Sequence, residues 1–128
     1  MKLLLDTHVF IWWADQQESL SATALSALKD EANELILSVA SVWEMQIKIQ
    51  LGKLKLSRPL KELVDSQVET NDLKVLPVEL AHVLVLDTLP FHHKDPFDRL
   101  LVAQANVEGA FLVSGDLVFL SYPVKLLW

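Results

Sequence analysis

The chain of 128 residues contains no cysteine. That excludes a disulfide framework and any thiolate metal site, so a metal bound here would be held by oxygen or imidazole, and it is compatible with a reducing cytoplasm. No apolar run reaches the ~18 residues that a membrane span requires, because charge interrupts each one. The opening MKLLLDTHVFIWW has the single basic residue and apolar stretch of a signal peptide. Asp6 and His8 break it, however, and no small-residue cleavage site follows, so it is read as a mature N-terminus that begins with a strand. Glycine is scarce, and two of the three mark expected helix ends, Gly52 and Gly109, while Gly115 marks a turn. No internal repeat, low-complexity segment or linker is present. Bases are outnumbered by acids, 11 against 17, and the resulting charge of −6 taken alone argues against a phosphate-rich partner.

Hydrophobic residues make up 52% of the chain and the mean hydropathy is +0.31, apolar for a soluble protein with no membrane segment. The length suits one domain, residues 1–128. Apolar runs of strand length occur at KLLLD, ELILS, LKVLPV and AFLVSGD, with YPVKLLW as a short edge strand. Helical spacing occurs in THVFIWWAD, in the segment capped by Ser19 or Ser21, and in SVASVWEMQIKIQL, LKELVDSQVET, ELAHVLVLDTL and FDRLLVAQANVE. This alternation predicts an α/β fold with a central, mostly parallel sheet flanked by helices on both faces.

In such sheets the ligand sits beyond the carboxyl ends of the strands. Asp6 ends the first strand, Asp116 lies just past the fourth, and Glu44 is one to two turns into the helix after the second. Asp98 opens the helix that feeds the fourth strand. Each acid has a local explanation: Asp6 can cap the helix from Thr7, Glu44 can pair with Lys48, and Asp116 can make an Asx turn. Asp95, Pro96 and Asp98 together suit a helix start. Jointly those explanations weaken, since independent caps have no reason to gather at one rim. Two unit charges about 4 Å apart repel by roughly 4 kcal/mol at an effective dielectric of 20, and a divalent cation removes that penalty. Oxygen-only ligands suit Mg²⁺ or Mn²⁺.

The motifs LLLDTHVFIWW, SVASVWEMQIKIQLGKL, HHKDPFDRLLVAQA and LVSGDLVF, followed by YPVKLLW, stand in the order and spacing of PIN-domain ribonucleases. The chain resembles that family over essentially its whole length, and more narrowly the VapC-type toxins of type II toxin–antitoxin pairs. The resemblance implies that Asp6, Glu44, Asp98 and Asp116 form the acidic quartet that holds one or two Mg²⁺ or Mn²⁺ ions. Thr7 and Ser114 match the small hydroxyl residues beside it, Ser114 standing where threonine is common. Asp95 matches an acid outside the quartet, better suited to a cap or an outer role.

The implied activity is hydrolysis of an RNA phosphodiester by metal-activated water, inhibited by a cognate antitoxin. Setting aside the four proposed ligands leaves 13 acids against 11 bases, so much of the acidity belongs to the site. RNA is then guided by the basic stretch containing Lys48, Lys53, Lys55, Arg58 and Lys61, with Arg99 and Lys94 near the rim. His8 and His82 read as helix residues packed or hydrogen-bonded locally, while His92 and His93 precede the cap and can approach substrate. Trp12, Trp13 and Trp43 exceed what a small core needs, which suggests a homodimer contact, an antitoxin helix in a groove, or both.

Two other enzyme classes fit poorly. A haloacid-dehalogenase phosphatase requires DxDxT, where this chain has His8 in DTHVF, and a receiver domain requires an acidic pair that is missing. The stronger rival is a catalytically weak PIN-fold binding module acting through a protein partner.

Overall fold

The computed structural model describes residues 1–91 and 95–128. Five strands form one sheet: β1 (Lys2–Leu5), β2 (Glu34–Ser38), β3 (Lys74–Leu76), β4 (Phe111–Val113) and β5 (Leu126–Leu127). Their spatial order is β3-β2-β1-β4-β5, and every described pairing is parallel. Leu4 of the central strand lies opposite Ile36 on one side and Leu112 on the other.

The continuous leucines of β1 follow from burial on both faces of the sheet, the usual condition of a parallel sheet. Successive side chains alternate between two cores. Leu3, Leu5, Leu35, Leu37 and Val113 join a core with residues of α1 (Thr7–Asp15), α2 (Ala22–Lys29) and α4 (Leu60–Asn71). Leu4, Ile36 and Leu112 point the other way, toward Leu101, Val102 and Ala105 of α6 (Pro96–Glu108) and toward Phe119 and Tyr122. The helix α3 (Val39–Gln50) contributes Met45 to the first core and contacts both α1 and α6. Helices therefore cover both faces, as the sequence predicts.

Local chemistry explains the helix limits. Ser21 accepts from the Ala24 N–H at the start of α2, and Ser38 accepts from the Ala40 N–H at the start of α3. Gly52 and Gly109 adopt φ of +72° and +65°, the left-handed conformation that glycine takes at a helix end without the cost of a Cβ. The ELAHVLVLDTL segment departs from a single helix. The helix α5 (Leu80–Leu84) runs five residues and tightens into a 3-10 turn over Val85–Thr88, where the Thr88 hydroxyl donates to the Val85 carbonyl at 2.6 Å. Another 3-10 turn, Leu117–Ser121, follows β4 where the sequence predicts only a turn. Among the described residues no helix is long and apolar enough to cross a membrane.

Candidate active site

The chain winds from β1 to β2 and β3 on one side, then returns to place β4 and β5 on the other side of β1. The switch in direction falls between β1 and β4, and the crevice beyond their carboxyl ends is where a sheet of this kind binds its ligand. Asp6 and the Ser114–Asp116 turn emerge there. The Asp6 N–H donates to the Val113 carbonyl at 3.1 Å, which ties the two strand ends together. The Ser114 hydroxyl donates to Asp6 Oδ2 at 2.8 Å and accepts from the Asp116 N–H at 3.1 Å. Those two bonds point the Ser114 hydroxyl proton at Asp6.

The Asp6 side chain is only 6% exposed, and burial pushes its carboxyl above the usual carboxylate range. The Ser114 bond, the nearby His8 and the Thr7 N–H pull in the opposite direction, and the charge of Glu44 adds to the rise. Asp6 and Glu44 thus feel each other across the crevice.

Thr7 brings Glu44 into place. Its hydroxyl donates to Glu44 Oε1 at 2.7 Å and stands 3.0 Å from Ser41 Oγ. A hydroxyl has one proton, so with that proton on the carboxylate the second contact is a donation from Ser41 to Thr7. Ser41 precedes Glu44 by three residues on α3, the spacing that puts two side chains on one helix face. Ser41 was not singled out from sequence, and that spacing is the signal that reveals it. The other Glu44 oxygen pairs with Lys48 Nζ at 3.1 Å, so Lys48 neutralises the rim acid expected from its i, i+4 position.

At the start of α6 the Asp95 carboxylate accepts from the N–H groups of Phe97 and Asp98, at 2.9 and 3.2 Å. Asp95 is the N-cap, with Pro96 at the first helical position. This start lies beside α3: the Phe97 ring meets Trp43 edge-on at 5.3 Å, and Glu44, Lys48, Lys53, Asp95 and Phe97 line one cavity of about 370 Å³. Asp98 is half-buried one residue beyond Phe97. Asp116 is exposed and accepts from the Val118 N–H at 3.0 Å, opening the 3-10 turn over Leu117–Ser121.

Among the described residues, no three carboxylates or imidazoles stand close enough together to clasp an ion. Five of the sequence-predicted residues, Asp6, Thr7, Glu44, Ser114 and Asp116, instead form with Ser41 two short hydrogen-bonded chains, Asp116–Ser114–Asp6 and Ser41–Thr7–Glu44, joined through consecutive residues Asp6 and Thr7. The donor set still fits a hard divalent cation, since it offers carboxylate and hydroxyl oxygens and contains a buried acid whose ionisation burial disfavours.

Arg99 departs from the expectation of an RNA contact. It is 7% exposed, donates to the carbonyls of Pro90 and Leu86 at 2.8 and 3.2 Å, and lies 4.2 Å from the Phe91 ring centroid. A guanidinium so enclosed ties Leu86, Pro90 and Phe91 to α6 and has no open face for a backbone phosphate. Lys53, Lys55 and Arg58 are exposed on the loop between α3 and α4, whose Leu54 and Leu56 anchor it to the core. His82 is buried: its Nδ1 accepts from the Glu79 N–H, which leaves the proton on Nε2 to donate to Glu108 at 2.9 Å. Trp13 is core, its N–H donating to Gln67, whereas Trp43 is 62% exposed. His92, His93 and Lys94 lie outside the described residues. A cavity of about 690 Å³ lies at the opposite, amino-terminal end of the strands near Glu34 and Lys74, away from the switch point.

A doubly wound parallel sheet with acids and hydroxyls gathered beyond β1 and β4 defines an α/β protein with an oxygen-rich rim site. The PIN domain family model matches residues 3–125, and the chain belongs to that family. It is 29% identical over 116 residues to Ribonuclease VapC22 of Mycobacterium tuberculosis (strain ATCC 25618 / H37Rv), a match covering 89% of this chain and 86% of that one. Solved structures that share the fold include the following two. VapBC2 from Rickettsia felis, bound to a DNA fragment from their promoter, aligns with a TM-score of 0.74 at 18% identity, covering 98% of this chain and 97% of the other. VapBC-1 from nontypeable Haemophilus influenzae aligns with a TM-score of 0.64 at 16% identity, covering 98% and 96%.

Proposed function

We propose that this PIN domain is a metal-dependent endoribonuclease toxin of the cytoplasm, held inactive by a cognate antitoxin. The observation that carries the reading is the pair of hydrogen-bonded chains at the switch point, which present the carboxylates of Asp6 and Glu44 from buried, oriented side chains. The family match and the likeness to a named ribonuclease support the same chemistry.

In this reading Asp6, Glu44, Asp98 and Asp116 hold one or two Mg²⁺ or Mn²⁺ ions. A bound divalent ion lowers the pKa of its water and stabilises charge on the phosphoryl oxygens. The residues of the chain do the rest. Ser114 keeps Asp6 in one rotamer by donating to Oδ2, and the Asp116 N–H orients Ser114 in turn. Thr7 holds Glu44 by the same device, and Lys48 offsets part of the rim's negative charge. The exposed Lys53, Lys55 and Arg58 attract the RNA backbone beside the site. The exposed Trp43, packed edge-on against Phe97, is surface for an antitoxin or for a second copy of the chain in a homodimer.

The test is induction in bacteria with and without the antitoxin, followed by mapping of RNA 5′ ends. Growth arrest with new RNA ends is expected from the intact chain, relieved by the antitoxin and abolished by Asp98→Asn. Arrest that survives Asp98→Asn without new ends assigns the protein to the rival class, a binding module acting through a partner.

A further inference from the structure

A second pocket opens on the rim directly beside the acids. It has a volume of about 300 Å³ and is lined by Asp6, Asp116, His8, Trp12, Gly115 and Trp128. One wall is built by α1: His8 is exposed one turn before Trp12, and their rings lie 5.9 Å apart with a 40° tilt. The other is built by the sheet edge. Pairing of β5 with β4 brings Trp128 back across the Ser114–Asp116 turn, where its indole lies 6.1 Å from that of Trp12 at 50°.

Gly115 admits this indole. A methyl group added there would stand 2.6 Å from Trp128 Cε2 and 2.8 Å from Nε1, inside contact distance. The ring therefore rests on the bare backbone between Ser114 and Asp116, and it remains 39% exposed. Three aromatic rings thus border a cavity whose floor is shared with two carboxylates.

That combination selects its occupant. Asp6 and Asp116 disfavour an anionic group in this pocket, while the tilted rings offer π faces to a flat, neutral one. The cavity is large enough for a single small heterocycle. We infer that this pocket receives one base of the RNA strand, unstacked from its neighbours and held against Trp12 and Trp128 next to the phosphodiester presented to the acids. This rests on the ribonuclease reading and adds to it a base-binding subsite of the chain's own making.

The test uses the full chain carrying Asp98→Asn, so that bound RNA is not cleaved, and a set of short single-stranded RNAs in which each position in turn is abasic. Stacking on an aromatic side chain is worth about 1–3 kcal/mol per base. At about 1.4 kcal/mol per tenfold, loss of the base at one position is expected to weaken binding by roughly 5- to 150-fold, with small effects elsewhere. Trp128→Ala should weaken binding of intact RNA and erase that position's penalty, as should Gly115→Ala by displacing the indole. Trp128→Phe should restore part of it, and His8→Ala, at an exposed position, should reduce it without touching the fold. A flat abasic series, or a penalty unchanged in Trp128→Ala, Gly115→Ala and His8→Ala alike, overturns the inference. Cleavage by the unmutated chain is measured in parallel. Cleavage with a flat series removes the base pocket and leaves the nuclease, whereas an aromatic-dependent penalty without cleavage keeps the pocket and removes the nuclease.

Discussion

Asp6 is a buried carboxylate whose ionised form the fold does not welcome, and this makes it the most informative position to change. Because burial raises its pKa, the folded state holds the proton more tightly than the unfolded chain. Its contribution therefore favours the fold fully below the unfolded pKa and is lost as pH rises through the folded one. Above that window the charge destabilises the metal-free protein. Asp6→Asn keeps the shape and an oxygen to accept from Ser114, and removes the charge. Single substitutions that stabilise a natural protein commonly yield about 0.5–2 kcal/mol, at the cost of function where they fall in a site that function keeps unfavourable. At ~2.1 cal/mol/K per residue, a chain of 128 residues has an unfolding entropy of about 0.27 kcal/mol/K, so 1 kcal/mol moves Tm by roughly 4 °C. Calorimetry at pH 7.5 in EDTA should find Asp6→Asn melting about 2–8 °C above the unmutated chain, and the gap should close as pH falls through the acid range. Adding Mn²⁺ should reverse the order, since binding at a hundred times Kd contributes about 2.7 kcal/mol, or roughly 10 °C, only to the chain that keeps its carboxylate. An Asp6→Asn variant that melts lower in EDTA, or a gap independent of pH, would refute the account of Asp6 as a charge awaiting a cation.

Thr7→Val removes the donor to Glu44 and leaves a buried carboxylate oxygen short of a partner, so urea titration should show a loss of about 1–3 kcal/mol. Arg99→Lys should destabilise by about 2 kcal/mol, because an ammonium cannot reproduce the paired donations to Pro90 and Leu86, while the salt dependence of RNA binding stays as it was. The double variant Lys53→Ala/Lys55→Ala should do the opposite: stability unchanged, and the slope of log K against log salt for single-stranded RNA shallower by about 1.4 if both contact phosphates. Asp95→Ala should cost about 1 kcal/mol through the lost cap of α6, with Asp95→Asn recovering most of it in the same thermal melts.

Sequence by itself determined the strands, the longer helices and the strand ends that form the rim. The leucines of β1 read as a strand buried on both faces, Gly52 and Gly109 read as helix limits, and the alternation of strand and helix implied the parallel sheet that is observed. The position of Asp6 after β1 and of Ser114 and Asp116 after β4 followed from that topology, because a strand's end and the turn after it are local features. Asp95 with Pro96 declared a helix start for the same reason.

What only the tertiary structure decided is where long side chains go. Arg99 has the composition of an RNA contact, but the carbonyls of Leu86 and Pro90 are brought to it by the turn after α5, and a guanidinium takes the acceptors it can reach while buried. The Lys48–Glu44 pair is the exception, legible from its i, i+4 spacing on one helix. The His8–Trp12–Trp128 pocket was illegible because one wall depends on β5 pairing with β4 and on the absence of a side chain at Gly115. Backbone pattern is set within a few residues and can be read along the chain. A side chain's partners are set by whatever folding brings within hydrogen-bond or van der Waals reach, and no local pattern carries that information.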